Sequence, residues 1–282
     1  MQVTFWGVRG SVPTPSKSTV RYGGNTVCVE VRTMDGQIIL LDAGTGMREI
    51  GGRLIQGPLP GPIHVFITHP HWDHILGLPF FAPLWRPDAH IIFHALSKRS
   101  RVVLARALMF DDEHFPVSAD TLPARVDRAP DVLDTVRVGS AVVSHIALNH
   151  PGGADGFRID DADGSSLCYL TDNELYPSGH VTTSPVELAR FARGAGLLIH
   201  DTQYVIADMP AKRGWGHSVM EEVLELGRAA EVRQLAMHHH DPGRSDAALD
   251  KIGADATTWT LAHAPAMKSF VAAEGMILEV KP

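Results

Sequence analysis

A layered α/β (α+β) protein is predicted by three features of the chain. Strand-like runs come first in clusters and then alternate with helical patterns. Those runs close, again and again, on a His or an Asp. The composition, 44% hydrophobic and 20% charged over 282 residues, is that of an ordinary globular protein. Length alone fits one large domain or two small ones. No Pro/Ser-rich linker, charge block or repeat period marks a boundary, so a single domain over residues 1–282 is expected.

Runs of β-branched and aromatic residues place strands at Val3–Trp6, Val27–Arg32, Gln37–Leu41, His64–Thr68, Ile91–His94, Ala141–Leu148 and Leu167–Thr171. Later strands are expected at Gly196–His200, Gln234–His238 and Met276–Val280. Helical patterns lie at Met47–Gln56, Lys98–Met109, Ser184–Arg193, Ser218–Ala230 and Ser245–Ile252. Ser218 and Glu221 fit a capping box at the start of the fourth of these. The stretch from Gly57 to Pro62 reads as a stiff helix-to-strand connection.

The most informative segment is His69-Pro-His-Trp-Asp-His74, with four potential metal ligands in six positions after an apolar strand. Pro70 cannot donate to a sheet ladder, so the chain must leave the sheet there and project His69 and His71 from a strand-end loop. Asp73 is placed to cap a short helix beginning near His74. A polar loop with Asp73 as a mere cap is the plain alternative, but it leaves the crowding of imidazoles without a reason.

Other strands end in the same way: Leu41 is followed by Asp42, Asn149 by His150, Thr171 by Asp172, Ile199 by His200 and Asp201, and Met237 by His238, His239 and His240. Strands lying side by side with these ends on one edge would bring the ligands together. A two-metal hydrolytic site needs roughly six or seven ligands and a bridging oxygen group. His69, His71 and His150 can form one set, Asp73, His74 and one of His238–His240 the other, with Asp172 as the bridging carboxylate. Coordination lowers the pKa of water toward about 7, which makes hydroxide available for attack near neutral pH. Asp42, in Leu41-Asp-Ala-Gly-Thr-Gly46, is expected to orient ligand imidazoles, with turn capping as the alternative.

The order His69-x-His71-x-Asp73-His74, with Asp42 before it and His150, Asp172 and a late His after it, resembles the metallo-β-lactamase-fold hydrolases over roughly residues 5–245. The resemblance implies a four-layer αββα sandwich and two divalent cations, zinc first, with manganese or iron as alternatives. Within that superfamily the chain is most similar to the ribonuclease Z and phosphodiesterase-like branch. Leu198-Ile-His-Asp-Thr-Gln-Tyr204, Gly216-His-Ser218 and the carboxylate of Asp172 carry that likeness. The penicillin-hydrolysing branch commonly has Cys where Asp172 stands. The resemblance selects His239 among the three late histidines, in keeping with the alternation of strand side chains, with His238 and His240 as alternatives. It implies that His217 and Asp201 assist the leaving oxygen, and that Asp73 is ligand and proton acceptor together. The acidic partner is often Glu in ribonuclease Z; here Asp201 is one methylene shorter.

Gly7-Val-Arg-Gly-Ser11 and Tyr22-Gly-Gly-Asn25 could wrap backbone N–H groups and Arg9 around a phosphate, although tight turns explain the glycines equally well. Arg9, Asn173, Tyr204, Lys212 and Trp215 are candidate substrate contacts. Trp215 could stack a base, or pack against the helix that follows. His114, within Asp111–Pro116, lies in a stretch that reads as a lid or an ordinary surface loop.

The net charge of −7 argues against a protein that grips long nucleic acid by its backbone. Two cysteines give no disulfide framework, no signal segment or membrane span is evident, and a cytoplasmic location is expected. The partner is then a small, anionic molecule, and a homodimer stays open. The expected activity is hydrolysis of a small or cyclic nucleotide-like phosphodiester. A lactone, ester or thioester hydrolase with the same metals is one alternative, and a non-catalytic metal-binding sensor or scaffold is another.

Overall fold

A computed structural model describes residues 1–59, 61–97, 117–129 and 134–282. Among them, two seven-stranded sheets face each other. The first contains β1 (Gln2–Gly7), β2 (Cys28–Arg32), β3 (Ile38–Leu41), β4 (Ile63–Phe66), β5 (His90–His94), β6 (Arg125–Arg128) and β14 (Ile277–Glu279), ordered β14-β1-β2-β3-β4-β5-β6. The second contains β7 (Thr135–Val138), β8 (Ala141–Leu148), β9 (Ala154–Asp160), β10 (Ser166–Leu170), β11 (Leu197–Asp201), β12 (Gln234–His238) and β13 (Lys268–Val271), ordered β13-β12-β11-β10-β9-β8-β7. The described helices are α1 (Gly46–Leu54), α2 (Trp72–Ile75), α3 (Pro185–Phe191), α4 (Met220–Ala229) and α5 (Asp246–His263). None is long and apolar enough to cross a membrane.

Side-chain alternation sorts the strands into three apolar layers. Ile39, Leu41 and Phe66 meet Phe157, Tyr169 and Ile199 between the sheets. Their neighbours Ile38, Leu40 and Val65 point outward to Met47 and Ile50 of α1. Leu170, Leu198 and Leu235 point outward on the other side, to Leu188, Val223 and Leu249 of α3, α4 and α5. The result is the expected αββα sandwich. Strands β3 to β6 run parallel, as do β10 to β13, so several carboxyl-terminal strand ends share one edge of the molecule.

Four strands escaped the sequence reading for identifiable reasons. β6, β7 and β13 are sheet edges and carry Arg, Asp, Thr, Lys or Ser where a buried strand would be apolar. β9 is broken by Gly156 and by charged residues, and is held by antiparallel pairing to both β8 and β10. Helix α5 runs eleven residues beyond the expected end at Ile252. Its Thr257, Thr258 and Thr260 hydroxyls donate to the carbonyls four residues back, and packing through Leu249, Ala256 and Trp259 carries these poor helix formers. The capping box at Ser218 does not form. α4 begins after Val219, and Ser218 Oγ instead donates to the Asn173 carbonyl and accepts from Leu175 N–H. The expected helix at Lys98–Met109 and the 111–116 loop with His114 lie outside the described residues.

Ile199 sits fully buried between the sheets. Ile199→Ala is expected to lower the unfolding free energy by about 2–5 kcal/mol, measured by urea titration.

Candidate active site

The chain turns out of β4 through Ile67 and Thr68 into His69, Pro70 stops the ladder, and the short α2 follows. His71, not Asp73, occupies the position before the helix; Asp73 lies within the first turn, where its Oδ2 accepts the Ser11 N–H at 2.7 Å. The expected cap is corrected accordingly: the carboxylate is turned into the site rather than back on its own helix. His150 comes from the end of β8, Asp172 from β10, Asp201 from β11 and His239 from β12.

These side chains meet. Ligand atoms of His69, His71, His150 and Asp172 lie within 4.8 Å of one another, and so do those of Asp73, His74 and His239. The Asp172 carboxylate stands between the two sets. Its Oδ2 is 3.4 Å from His69 Nε2 and 3.6 Å from His150 Nε2, whereas its Oδ1 is 3.2 Å from His74 Nε2 and 3.0 Å from His239 Nε2. One oxygen faces each set.

Outer acceptors fix three of the rings. Asp42 accepts from His74 Nδ1 at 2.9 Å, from Thr68 N–H at 2.8 Å and from the Tyr169 hydroxyl at 2.9 Å. His150 Nδ1 donates to the Gly216 carbonyl at 2.9 Å, and His239 Nδ1 to Gln203 Oε1 at 2.8 Å. Each bond leaves Nε2 aimed inward. His238 and His240 point elsewhere, to the carbonyls of Gly7 and Ala272. Burial pushes the pKa of His240 down to about 3. Ser11, Asp42, Asp172 and His239 all hold positive φ, at 64°, 61°, 60° and 59°. Each such residue costs of order 1 kcal/mol or more, a strain that tends to gather at functional sites. Gly10 is required for a different reason: a Cβ there would stand 2.4 Å from the His239 ring.

Burial holds His69, His71 and His150 below the usual imidazole pKa. Burial would do the same to His74 and His239, but Asp172 and Asp73 outweigh it, raising His74 well above its ordinary value and His239 to about 10. Burial opposes ionisation of Asp172 and Asp73 too, yet the neighbouring imidazoles hold both well below the normal carboxylate range. The Nε2 atoms of His69 and His74 are buried without a hydrogen-bond partner. Inward-turned nitrogens beside ionised carboxylates fit divalent cations.

His217 Nδ1 lies 2.6 Å from Asp201 Oδ2, so the shorter acid closes the pair. The His217 ring faces those of His150 and His239, with centroids 5.3 and 4.9 Å away. An open cavity of about 460 Å³ reaches this centre, lined by Ser11, Pro70, His71, Trp72, Asp73, Asp172, His217 and His239.

Of the expected substrate contacts, Arg9 is fully buried and clamps loops, donating to the carbonyls of Gly23 and Arg244. Asn173 is buried as well: its Oδ1 accepts from Asn149 N–H, and its Nδ2 lies 3.3 Å from His200 Nε2. Both are cross-links out of reach of a substrate. Tyr204 is buried, with its ring edge-on to His217 at 5.8 Å. Trp215 does not pack against α4; it is 57% exposed, with the Lys212 ammonium 3.8 Å above its ring. The Gly7–Ser11 turn serves Asp73 and His239 rather than a phosphate, and the Tyr22–Asn25 turn gives its Asn25 N–H to Glu274. Ser11, Gln203, Thr68, Tyr169 and Gly216 were not among the expected site residues: Ser11, Gln203 and Gly216 lie inside sequence motifs, but the first and last act through backbone groups and Gln203 through a contact with a distant strand end, none of which a motif displays. Trp72 was passed over inside one: it is 79% exposed at the cavity edge, and an indole between two clustered ligands was the available signal.

Two facing sheets between helical layers, with a His/Asp cluster on their shared strand-end edge, define a metal-dependent hydrolase of the metallo-β-lactamase fold. The chain belongs to the β-lactamase superfamily, whose domain model matches residues 37–240. A ribonuclease Z from Haloferax volcanii is 26% identical over 285 residues, covering 85% of this chain and 84% of the relative. The short form of human tRNase Z superposes with a TM-score of 0.67 at 20% identity, covering 100% of both chains. A diphosphatase of the PhnP family superposes with a TM-score of 0.69 at 19% identity, covering 99% of this chain and 97% of the other.

Because the carboxylates raise His239 to about 10 and His74 above its ordinary value, metal uptake by apoprotein near neutral pH is expected to release protons. Affinity should accordingly rise with pH until His239 loses its proton at about 10. Calorimetry in buffers of different ionisation enthalpy measures the release; none at all would contradict the electrostatics described. Asp42→Ala removes the acceptor that orients His74 and is expected to weaken metal binding about 10–100-fold, read by competition with a chelator.

Proposed function

We propose that the protein hydrolyses a small or cyclic nucleotide-like phosphodiester at a dinuclear centre held by His69, His71 and His150 on one side and Asp73, His74 and His239 on the other, with Asp172 shared. The observation that carries this reading is the division of the Asp172 oxygens between the two sets. The nitrogen-rich donor set suits zinc, with manganese or iron as alternatives. Divalent cations bound there would supply Lewis-acid polarisation and a nucleophile at neutral pH. The reading takes residues 1–282 as one hydrolase domain, since both sheets contribute to the cluster.

The protein's own groups do the rest. Donation from His217 Nδ1 to Asp201 fixes the tautomer and leaves Nε2 to pass a proton to the leaving oxygen, while Asp201 stabilises the cationic ring. Asp73, held by Ser11 N–H, combines ligation with proton acceptance. Trp72 offers a flat apolar surface at the mouth, and Lys212, stacked between Tyr204 and Trp215, offers a positive charge on the His217 side.

Phosphorus–oxygen chemistry is favoured because the relatives include a ribonuclease and a diphosphatase. A small substrate is favoured over long RNA by the net charge of −7 and by a cavity wall that has no Lys or Arg among its described residues.

Parallel assays with bis(p-nitrophenyl) phosphate, cyclic nucleotides, a model RNA and a lactone panel test the assignment. Lactone turnover with inert phosphodiesters would overturn it, and preference for the RNA would move it to nucleic-acid processing. Asp73→Ala that leaves turnover unchanged on every substrate would favour the sensor reading. His217→Ala is expected to lower kcat by about 10²–10⁴-fold for alkoxide leaving groups, and by much less for p-nitrophenolate, which departs without a proton. Equal losses on both would remove His217 as the acid.

A further inference from the structure

Three loops that carry site residues are tied together at one buried carboxylate outside the ligand set. Glu174, 1% exposed, lies two residues beyond Asp172. Its Oε1 accepts the Gly214 N–H at 2.9 Å, and its Oε2 accepts the Gly216 N–H at 3.0 Å. Gly214 and Gly216 hold φ of +86° and +85°, a left-handed backbone open to glycine, and both N–H groups reach the one carboxylate. Arg213, 3.8 Å from Glu174 Oε1, closes the arrangement by donating to the Tyr176 carbonyl. The Glu174 N–H in turn donates to the Asn149 carbonyl at 2.8 Å, next to His150.

What this loop presents matters for the site. The Gly216 carbonyl accepts His150 Nδ1, and the next residue is His217. The approach is tight: a Cβ on Gly216 would stand 2.4 Å from His150 Nδ1. The geometry points to Glu174 as a positioning residue that clamps the 213–217 loop, so that His150 and His217 hold their orientation toward Asp172; this rests on the catalytic reading of the site. Glu174 touches no reacting group itself. It acts through two backbone amides and one carbonyl.

The test compares the full-length parent with Glu174→Ala and Glu174→Gln by hydrogen exchange, metal stripping and steady-state kinetics. In Glu174→Ala, exchange at Gly214 and Gly216 should accelerate at least about 10-fold while β10, β11 and β12 stay protected. Metal should be lost to a chelator about 10-fold faster, as when other partners of a ligand imidazole are removed. On substrates the parent turns over, kcat should fall about 10–100-fold with KM within about threefold. Glu174→Gln keeps one carbonyl oxygen for the amides and should fall between; it decides the matter if the alanine variant does not fold. Unchanged exchange at the two glycines overturns the proposal, and so does faster exchange with parental metal retention. A parent inert on every phosphodiester removes the substrate assignment alone, since the exchange and metal arms still decide on Glu174.

Discussion

A carboxylate with almost no access to water, set among six imidazoles, is the constraint on which the site depends. Burying the charge of Asp172 is costly unless partners compensate it, and the interior around it is built to do so. Each oxygen meets its own pair of Nε2 atoms. The imidazoles are aimed by acceptors behind them, Asp42, Gln203 and the Gly216 carbonyl, so their inward orientation is fixed by the protein. Preorganised donors of this kind cost no reorganisation when charge moves during a reaction.

The two sheets make that arrangement affordable. Their strands bury apolar residues on both faces, and the parallel stretches bring carboxyl-terminal ends to one edge. The first turns beyond those ends are where strain concentrates. Asp42, Asp172 and His239 enter the left-handed region just past β3, β10 and β12, which swings their side chains out of strand register and into the centre. The strain is offset by the hydrogen bonds and charge interactions that the same residues make.

Segments far from the hexapeptide supply what it lacks. The loop through Gly10 and Ser11 presses against His239 and holds Asp73; the loop through Gly214 and Gly216 supports His150 and delivers His217. In both places a glycine permits backbone to approach an imidazole more closely than any side chain would allow. The cavity between them is walled by an indole, a proline ring, a serine and histidines. Asp73 and Asp172 complete the wall, and no Lys or Arg is among its described residues.

Much of this was legible in the chain. The hexapeptide could be read because ligand type, spacing and Pro70 are local properties, and the apolar strands could be read because alternation is local too. Edge strands such as β6 and β13 could not, since their pairing is decided by a neighbour rather than by their own polar composition. Arg9 and Asn173 looked like substrate contacts because sequence shows a polar side chain but not what surrounds it; packing buried both and gave them carbonyls and amides to hold. Trp215 was open to two readings, a stacking surface or a partner for the next helix, and its exposure is decided by the fold. The sequence by itself determined which residue types able to bind a cation stand at strand ends, and the apolar strands at the centres of the sheets. Only the tertiary structure decided which oxygen of Asp172 faces which imidazole, which of three adjacent histidines turns inward, and which loops lock them, because those choices depend on contacts between segments far apart in the chain, 36 positions for His239 with Gln203 and 166 for His239 with Asp73.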